Sequence, residues 1–164
     1  MRHEPEIISE YFSWFLDPET LKEFVKRSAL ILRRYDFQCI AFRGVSGALS
    51  GPPLAFKMNK TVIVVRKSKY EEKNHSRMPV EGDRAVKRYV IVDDFIRSGA
   101  TVREIVKRIS EFAPSARCIG VIEGRMIIKH KVLAVTDILD RLPHGWAGRE
   151  QYVMHANDAL KRTQ

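Results

Sequence analysis

The sequence predicts an α/β domain in which a mostly parallel central sheet is flanked by helices. Three observations predict this class. Short apolar segments of strand character alternate with helical patterns, polar loops containing glycine follow two of the strands, and no internal repeat is present. The chain has 164 residues, which suffices for one domain with a real core. We therefore predict a single domain over 1–164, with its core over about 17–125.

The individual elements follow from local patterns. Asp17-Pro18-Glu19 is typical of a helix start, and apolar residues then recur at helical spacing up to about residue 35. The remaining elements are predicted as strands over 38–42, 61–66, 89–92 and 116–122, and as helices over 48–58 and 101–112. Residues 67–84 have no clear period and many charges, which indicates a long loop. The aromatic segment 1–16 is interpreted as a packing arm.

Composition restricts the partners and the compartment. The formal net charge of +9 favours an anionic partner, either nucleic acid or a small molecule rich in phosphate, and charge alone does not choose between them. No apolar run approaches the roughly 18 to 20 residues of a membrane span, and residues 1–6 lack the apolar region of a signal peptide. Cys39 and Cys118 lack CxxC spacing, so we expect buried free thiols in a reducing compartment. These features predict a cytoplasmic protein.

The most informative segment is 89–102, YVIVDDFIRSGATV. An apolar strand ends in the acid pair Asp93 and Asp94, a short polar loop follows, and a helix then begins. Backbone N–H groups of such a loop and of a helix N-terminus form a phosphate cradle. The carboxylates are suited to accept hydrogen bonds from a ribose diol or to hold a hydrated magnesium ion. The plain alternative is a buried strand with a capping acid pair.

Two common nucleotide-binding motifs are absent. The P-loop pattern G-x-x-x-x-G-K-[ST] does not occur, and Gly44, Gly47 and Gly51 do not have the spacing of the G-x-G-x-x-G dinucleotide fingerprint. The segment 89–102 therefore needs a different explanation.

That segment resembles the phosphoribosyl pyrophosphate signature of the type I phosphoribosyltransferases. Upstream, RGVSG at 43–47, GPPLA at 51–55 and VVRK at 64–67 are together similar to the pyrophosphate loop and following strand of adenine phosphoribosyltransferases, and LDPE at 16–19 is similar to the same group. The resemblance covers about 16–122, in the family's order. It implies the type I phosphoribosyltransferase fold, with a small hood built from about 1–16 and 126–164.

The resemblance implies a role for each matching position. Asp93 and Asp94 would accept hydrogen bonds from the ribose hydroxyls and bind Mg²⁺. The 5-phosphate would be held by Arg97, Ser98, Gly99, Ala100 and Thr101. The pyrophosphate would be held by Arg43, Gly44, Val45, Ser46 and Gly47, with Arg66 and Lys67 adding positive charge. The family's strained cis peptide would fall near 43–44.

The loop over 69–84 matches the family's mobile lid in place and composition. Lys73-Asn74-His75 resembles a lid tip of the orotate enzymes, in which a lysine and a histidine reach the leaving group. The resemblance thus adds Lys73 and His75 as catalytic candidates, against the alternative of a flexible surface loop. A lid would keep the oxocarbenium-like centre from water.

The resemblance implies an enzyme that transfers the phosphoribosyl group of 5-phosphoribosyl 1-pyrophosphate to a nucleobase, with a purine slightly favoured and pyrophosphate released. It also suggests a homodimer active in purine salvage. Two departures leave alternatives open: Ala41 replaces an acid of the adenine enzymes, and Arg97 replaces an acid of the hypoxanthine-type enzymes. The main alternative is a nucleotide-sensing regulator of the same fold that binds RNA or DNA, although no basic cluster stands out. A weaker one is a pyrophosphate-donor synthase of this fold.

Overall fold

The computed structural model describes residues 7–9, 12–67, 78–93 and 99–123. Its elements alternate in the predicted order. They are α1 (Ser13–Leu16), α2 (Pro18–Leu32), β1 (Cys39–Arg43), α3 (Gly44–Met58), β2 (Thr61–Val65), β3 (Val80–Gly82), β4 (Arg88–Asp93), α4 (Ala100–Phe112) and β5 (Arg117–Glu123).

The strands form one five-stranded sheet in the order β3-β2-β1-β4-β5. The central strand β1 pairs in parallel with β2 on one side and with β4 on the other, and β4 pairs in parallel with β5. Only β3 is antiparallel, with Val80 opposite Val65 of β2. The predicted α/β class with a mostly parallel sheet flanked by helices is confirmed.

The sheet separates two apolar layers. On one face, α4 buries Ile105 and Ile109 against strand residues that include Ile91. On the other face, α2 and α3 bury side chains such as Phe24 and Leu54 against the alternate strand residues. Burial on both faces explains why the central strands are almost continuously apolar in sequence.

The start of α2 is built as the sequence predicts. Asp17 is the N-cap, and its carboxylate accepts a hydrogen bond from the backbone N–H of Thr20 at 2.7 Å and another from the Thr20 hydroxyl. These hydrogen bonds lower the pKa of Asp17. Within the N-terminal segment, Phe15 is buried and meets Phe24 edge-on, with 6.0 Å between ring centroids. This contact supports the packing role predicted for that segment.

Both cysteines are buried and free, as expected from their apolar surroundings. Cys39 lies at the start of β1 and Cys118 near the start of β5, with relative exposures of 0% and 1%. No helix within the described ranges is both long enough and apolar enough to cross a membrane.

Two boundary predictions were wrong. The segment 43–47 was predicted as a loop ahead of a helix at 48, but α3 already begins at Gly44 and continues through Pro52 and Pro53 to Met58. The segment 67–84 was predicted as an unbroken loop, but it contains the short strand β3. Glycine and proline lower local helix propensity, and a three-residue strand leaves almost no periodic signal.

Candidate functional site

The candidate site lies at the carboxyl edge of the sheet. Because β1 and β4 are neighbours and parallel, they end at this same edge, and α3 and α4 begin after them. A glycine in the left-handed region makes each turn into a helix: Gly44 has φ +73° and Gly99 has φ +71°. Ligands of open α/β sheets bind in loops at such an edge.

The N-cap residues of α3 and α4 provide no side-chain cap. Neither Arg43 nor Gly99, their N-cap residues, makes a side-chain capping hydrogen bond, and neither helix has an acid in its first turn. In contrast, α2 has Asp17 as its cap and Glu19 in its first turn. The first N–H groups of a helix and its positive dipole end favour an anion. Thus the start of α3 keeps this capacity for an anion at the candidate site.

Lys67 adds a positive charge to the start of α3. A Cβ atom built on Gly44 would lie 3.1 Å from Lys67 Cε and 3.4 Å from its Nζ. The structure therefore brings the predicted residues Gly44 and Lys67 together. The expected cis peptide near 43–44 was wrong, because the described residues contain no cis bond and the positive φ of Gly44 turns the chain instead.

Arg43 lies between the two helices. It ends β1, and its Nε is buried without a hydrogen-bond partner in the part of the chain that the structure describes. On α4, a hydrogen bond from Arg108 is the main cause that lowers the pKa of Glu104, and the charge of Arg43 lowers it further. Arg43 is thus close enough to α4 for its charge to act on Glu104.

Gly47 has a structural contact that the sequence did not reveal. A Cβ atom on Gly47 would lie 2.8 Å from Phe42 Cβ, and one on Gly51 would lie 2.7 Å from Phe42 Cδ1. The two glycines therefore let α3 pack closely on β1. The other predicted members of this segment are at the start of α3, where Val45 is exposed and the carbonyl of Ser46 accepts a hydrogen bond from Ser50 Oγ at 3.1 Å.

Arg66 forms an ion pair with Glu81 of β3. Its Nε and Nη2 both lie 2.6 Å from Glu81 Oε1. The side chains are 30% and 38% exposed, so both remain accessible from solvent. The sequence did not reveal Glu81, because its position depends on the antiparallel pairing of β3 with β2.

A second buried carboxylate lies beside Asp93. Asp93 is paired in register with Glu123, the last residue of β5, and the two residues are 5% and 3% exposed. Register partners on parallel strands project to the same face, about 4.8 Å apart. Sequence reasoning missed Glu123, although an acid directly after the predicted strand 116–122 was a usable signal.

The remaining predicted residues divide into two groups. Gly99 is buried, while Ala100 and Thr101 form the first turn of α4. The others lie outside the described residues: Asp94, Arg97 and Ser98 of the phosphate loop, Lys73 and His75 of the lid, and the C-terminal part of the hood.

Asp93 suits a magnesium ion that is coordinated mainly by the substrate's phosphates and by water. Mg²⁺ usually binds one or two carboxylates, waters and substrate phosphates rather than an all-protein cage. Within the described ranges, no group of three or more His, Cys, Asp or Glu residues is arranged to hold a metal by itself. Asp93 is a buried carboxylate at the end of β4, on the same sheet edge as the start of α3. It therefore matches a site in which Mg²⁺ is bound by one or two carboxylates, water and substrate phosphates.

Comparisons with known proteins identify relatives of this arrangement. An adenine phosphoribosyltransferase from Petrotoga mobilis is 29% identical over 108 residues, which cover 56% of this chain and 62% of that protein. The match thus spans less than two thirds of the curated relative's length. The solved adenine phosphoribosyltransferase of Thermoanaerobacter pseudethanolicus has 19% identity and a TM-score of 0.50, covering 73% of this chain and 80% of that one.

A second solved structure has the same fold. Orotate phosphoribosyltransferase of Mycobacterium tuberculosis, in complex with 5-phospho-alpha-D-ribosyl 1-diphosphate, has 16% identity and a TM-score of 0.52, covering 66% of this chain and 61% of that one. Residues 39–132 also match the family described as the phosphoribosyl transferase domain. That match includes β1 to β5 and more than half of the chain, so this protein belongs to the phosphoribosyl transferase family.

Proposed function

We propose that this protein transfers the phosphoribosyl group of 5-phosphoribosyl 1-pyrophosphate to a nucleobase and releases pyrophosphate. One observation carries the proposal: two helices, each entered through a left-handed glycine, begin after neighbouring parallel strands at one edge of the sheet. Two anion sites at one edge suit a ligand with phosphate at both ends of a sugar. Family membership and the orotate enzyme's complex with this same donor support the assignment.

In this proposal, the two phosphate-bearing ends of the donor bind at the starts of two different helices. The turn from Arg43 into α3 holds the pyrophosphate, with Lys67 beside it and Arg66 nearby. The loop 97–101 and the start of α4 hold the 5-phosphate. The ribose hydroxyls lie between them, within reach of Asp93 and its neighbour Asp94. The support is the order of these parts along β1 and β4 and the cationic side chains at the α3 end.

The proposed reaction is a displacement at C1 of the ribose. The lone pair of a base ring nitrogen forms the new C1–N bond, the C1–O bond breaks, and its electron pair leaves with pyrophosphate, so that C1 is inverted. The base then loses a ring N–H proton to water. Asp93 and Asp94 would hold magnesium, which when bound would neutralise charge on the leaving pyrophosphate. The chain's own contribution is to position the donor and to stabilise negative charge through Arg43 and the start of α3. Lys73 and His75 of the lid would reach the leaving group.

We propose a purine as the acceptor, because the curated relative from Petrotoga mobilis is an adenine phosphoribosyltransferase. We further propose that the protein works as a homodimer in purine salvage. Ala41 is fully buried in the middle of β1, so its side chain contributes packing rather than a carboxylate at the position where the adenine enzymes have an acid. A base panel is therefore needed to identify the acceptor.

The test is pyrophosphate release from the donor and Mg²⁺ across a panel of purine and pyrimidine bases. We expect release with at least one purine, and its loss in the double variant Asp93→Asn/Asp94→Asn. The matched control, Asp36→Asn/Asp83→Asn, removes the same charge at the opposite edge of the sheet and should retain activity. Unchanged release in the Asp93/Asp94 variant would contradict the proposed roles, and no release from the wild type with any base would contradict the activity.

A further inference from the structure

The amino edge of the sheet, opposite the candidate site, carries a row of cations. We call this row the amino-edge cluster; it consists of Lys60, Arg84, Lys87, Arg88 and Arg117. Four of these residues are at or directly before the starts of β2, β4 and β5, and Arg84 lies in the connection between β3 and β4. Lys60 is half-buried and the other four are exposed. These cations come from three separate stretches of the chain, at 60, 84–88 and 117, so the whole row is not visible in the sequence.

Contacts fix two of these side chains over aromatic rings. Lys60 Nζ donates to the Phe37 carbonyl at 2.6 Å and lies 4.8 Å from the centroid of the Phe37 ring. Arg84 Nε donates to the Phe112 carbonyl at 2.9 Å, with its guanidinium carbon 5.9 Å from the Phe112 ring. Both cations are therefore held in place, which lowers the entropy lost when they bind a ligand.

The centre of the row is also ordered. Lys87 Nζ lies 3.1 Å from Ser115 Oγ, and Arg88 forms a 3.1 Å ion pair with Asp36. The side-chain oxygen of Gln38 accepts hydrogen bonds from the backbone N–H groups of Lys87 and Arg88, at 3.3 and 2.8 Å. This anchors the Gln38 amide by its oxygen, so its NH₂ group is a donor within the row.

Among the described residues, the charge of the cluster exceeds that of the acids beside it. Asp36 pairs with Arg88, and Asp83 accepts a hydrogen bond from the backbone N–H of Ala85 at 2.8 Å. Exposed Glu111 is next to Phe112, which binds Arg84, so three described acids face five cations and two positive charges remain in excess. The excess lies on the opposite edge from the proposed phosphosugar site, so binding that sugar does not account for it.

We propose that the amino-edge cluster binds the phosphate backbone of double-stranded RNA. From the start of β2 to the start of β5 the row crosses three strand spacings, about 14 Å. A duplex presents several phosphates over that distance. The cations are arginines and lysines with an interspersed amide donor, a combination that suits phosphate and 2′-hydroxyl oxygens.

The shape of this edge favours duplex RNA over the other nucleic acids. It consists of strand starts, turns and the C-terminal ends of α2 and α4, and no described helix or ribbon projects from it to enter a DNA major groove. The two aromatic rings of the row lie under cations, with Phe37 1% exposed, so they offer no stacking platform for single-stranded bases. The wide, shallow minor groove of duplex RNA displays its 2′-hydroxyls to a flat surface of this kind.

The test measures fluorescence anisotropy of a labelled RNA duplex of about 20 base pairs with the full chain, at several salt concentrations. The test variant is Lys87→Gln/Arg117→Gln, which removes two exposed cations of the row. The control is Lys26→Gln/Lys107→Gln, which removes two exposed lysines from α2 and α4. Thermal unfolding by circular dichroism confirms that both variants are folded.

For the wild type we expect salt-dependent binding of duplex RNA and weaker binding of DNA of the same sequence. The test variant should bind about tenfold more weakly, and the slope of log affinity against log salt should fall by about 2. The control should keep the wild-type slope, and both variants should keep pyrophosphate release. Equal affinities and slopes in the two variants would overturn the proposed site. Binding of DNA or of single-stranded RNA as tight as that of duplex RNA would overturn the proposed partner.

Discussion

The ammonium group of Lys67 lies against the backbone of Gly44, so that a Cβ atom on Gly44 would be 3.4 Å from Lys67 Nζ. Gly44 also has φ +73°, a conformation that residues with a side chain rarely adopt. One glycine thus makes the turn from β1 into α3 and leaves room for a cation beside that turn. Both properties depend on the absence of a side chain.

The substitution Gly44→Ala should reduce both stability and pyrophosphate affinity. The left-handed conformation would cost an alanine about 1–2 kcal/mol, and the new methyl group would displace Lys67. Urea unfolding measures the first effect, and calorimetric titration with pyrophosphate and Mg²⁺ measures the second. Lys67→Met is the matched control, because it should lower affinity without the backbone cost. A Gly44→Ala variant as stable as the wild type would contradict the left-handed turn.

Gly47 and Gly51 should differ in how an added methyl group is tolerated. On Gly47 the nearest atom would be Phe42 Cβ at 2.8 Å, which cannot move without the backbone, whereas on Gly51 it would be the ring atom Cδ1 at 2.7 Å. Overpacking of this kind costs about 1–3 kcal/mol, so both alanine variants should lose stability, with the larger loss at Gly47.

A second substitution tests that difference. Phe42→Leu removes the ring but keeps Cβ, so it should recover part of the stability lost in Gly51→Ala and little of that lost in Gly47→Ala. The coupling is measured by a double-mutant cycle of unfolding free energies. Equal coupling free energies of Phe42→Leu with Gly47→Ala and with Gly51→Ala would show that the Phe42 ring limits the packing of α3 at both glycines. Phe42 Cβ would then not be the limiting contact at Gly47.

The fold was predictable where one apolar segment determines an element. Strands β1 and β4 are buried on both faces, so their sequences are apolar except at their ends, and their parallel order follows from the alternation with helices. That order alone places Arg43 and Asp93 at one edge. The start of α3 was not predictable, because its helix is favoured by close packing of Gly47 on Phe42, which overrides a local preference for a turn.

The site was predictable only where it lies within the family motifs. Glu81 is in the short strand β3, so its ion pair with Arg66 depends on a strand pairing that the local sequence does not indicate. Glu123 requires the register of β5 against β4, which includes a shift at Tyr89/Val90. The amino-edge cluster likewise depends on strand order, since it joins residues from three separate stretches of the chain.

The two buried thiols should make the protein less stable at high pH. Burial raises the pKa of both Cys39 and Cys118 to about 12, so the folded thiols stay protonated where unfolded thiols ionise. The stability that the protonated thiols contribute to the folded state is fully present below their unfolded pKa near 9. It is lost as the pH rises from there towards 12. Between these limits each thiol lowers the unfolding free energy by about 1.4 kcal/mol per pH unit.

Urea unfolding of the wild type and of Cys39→Ala/Cys118→Ala between neutral and alkaline pH measures that contribution. The difference in slope between the two proteins isolates the thiols from lysines that titrate in the same range. Native thiols should also resist alkylation until the chain unfolds. Parallel pH profiles for the two proteins would contradict the raised pKa values.

Glu81 should limit the affinity of the candidate site for pyrophosphate. Its carboxylate lies 2.6 Å from Arg66 Nη2 and neutralises a cation that would otherwise attract the leaving group. Glu81→Gln keeps the shape of the side chain but removes its charge, so calorimetry should show pyrophosphate with Mg²⁺ binding severalfold more tightly. Because both side chains are partly exposed, the stability cost should stay below about 1 kcal/mol. Glu104→Gln, which removes an acid paired with Arg108 on α4, is the comparison. Weaker pyrophosphate binding in Glu81→Gln would show instead that Glu81 orients Arg66 for the ligand.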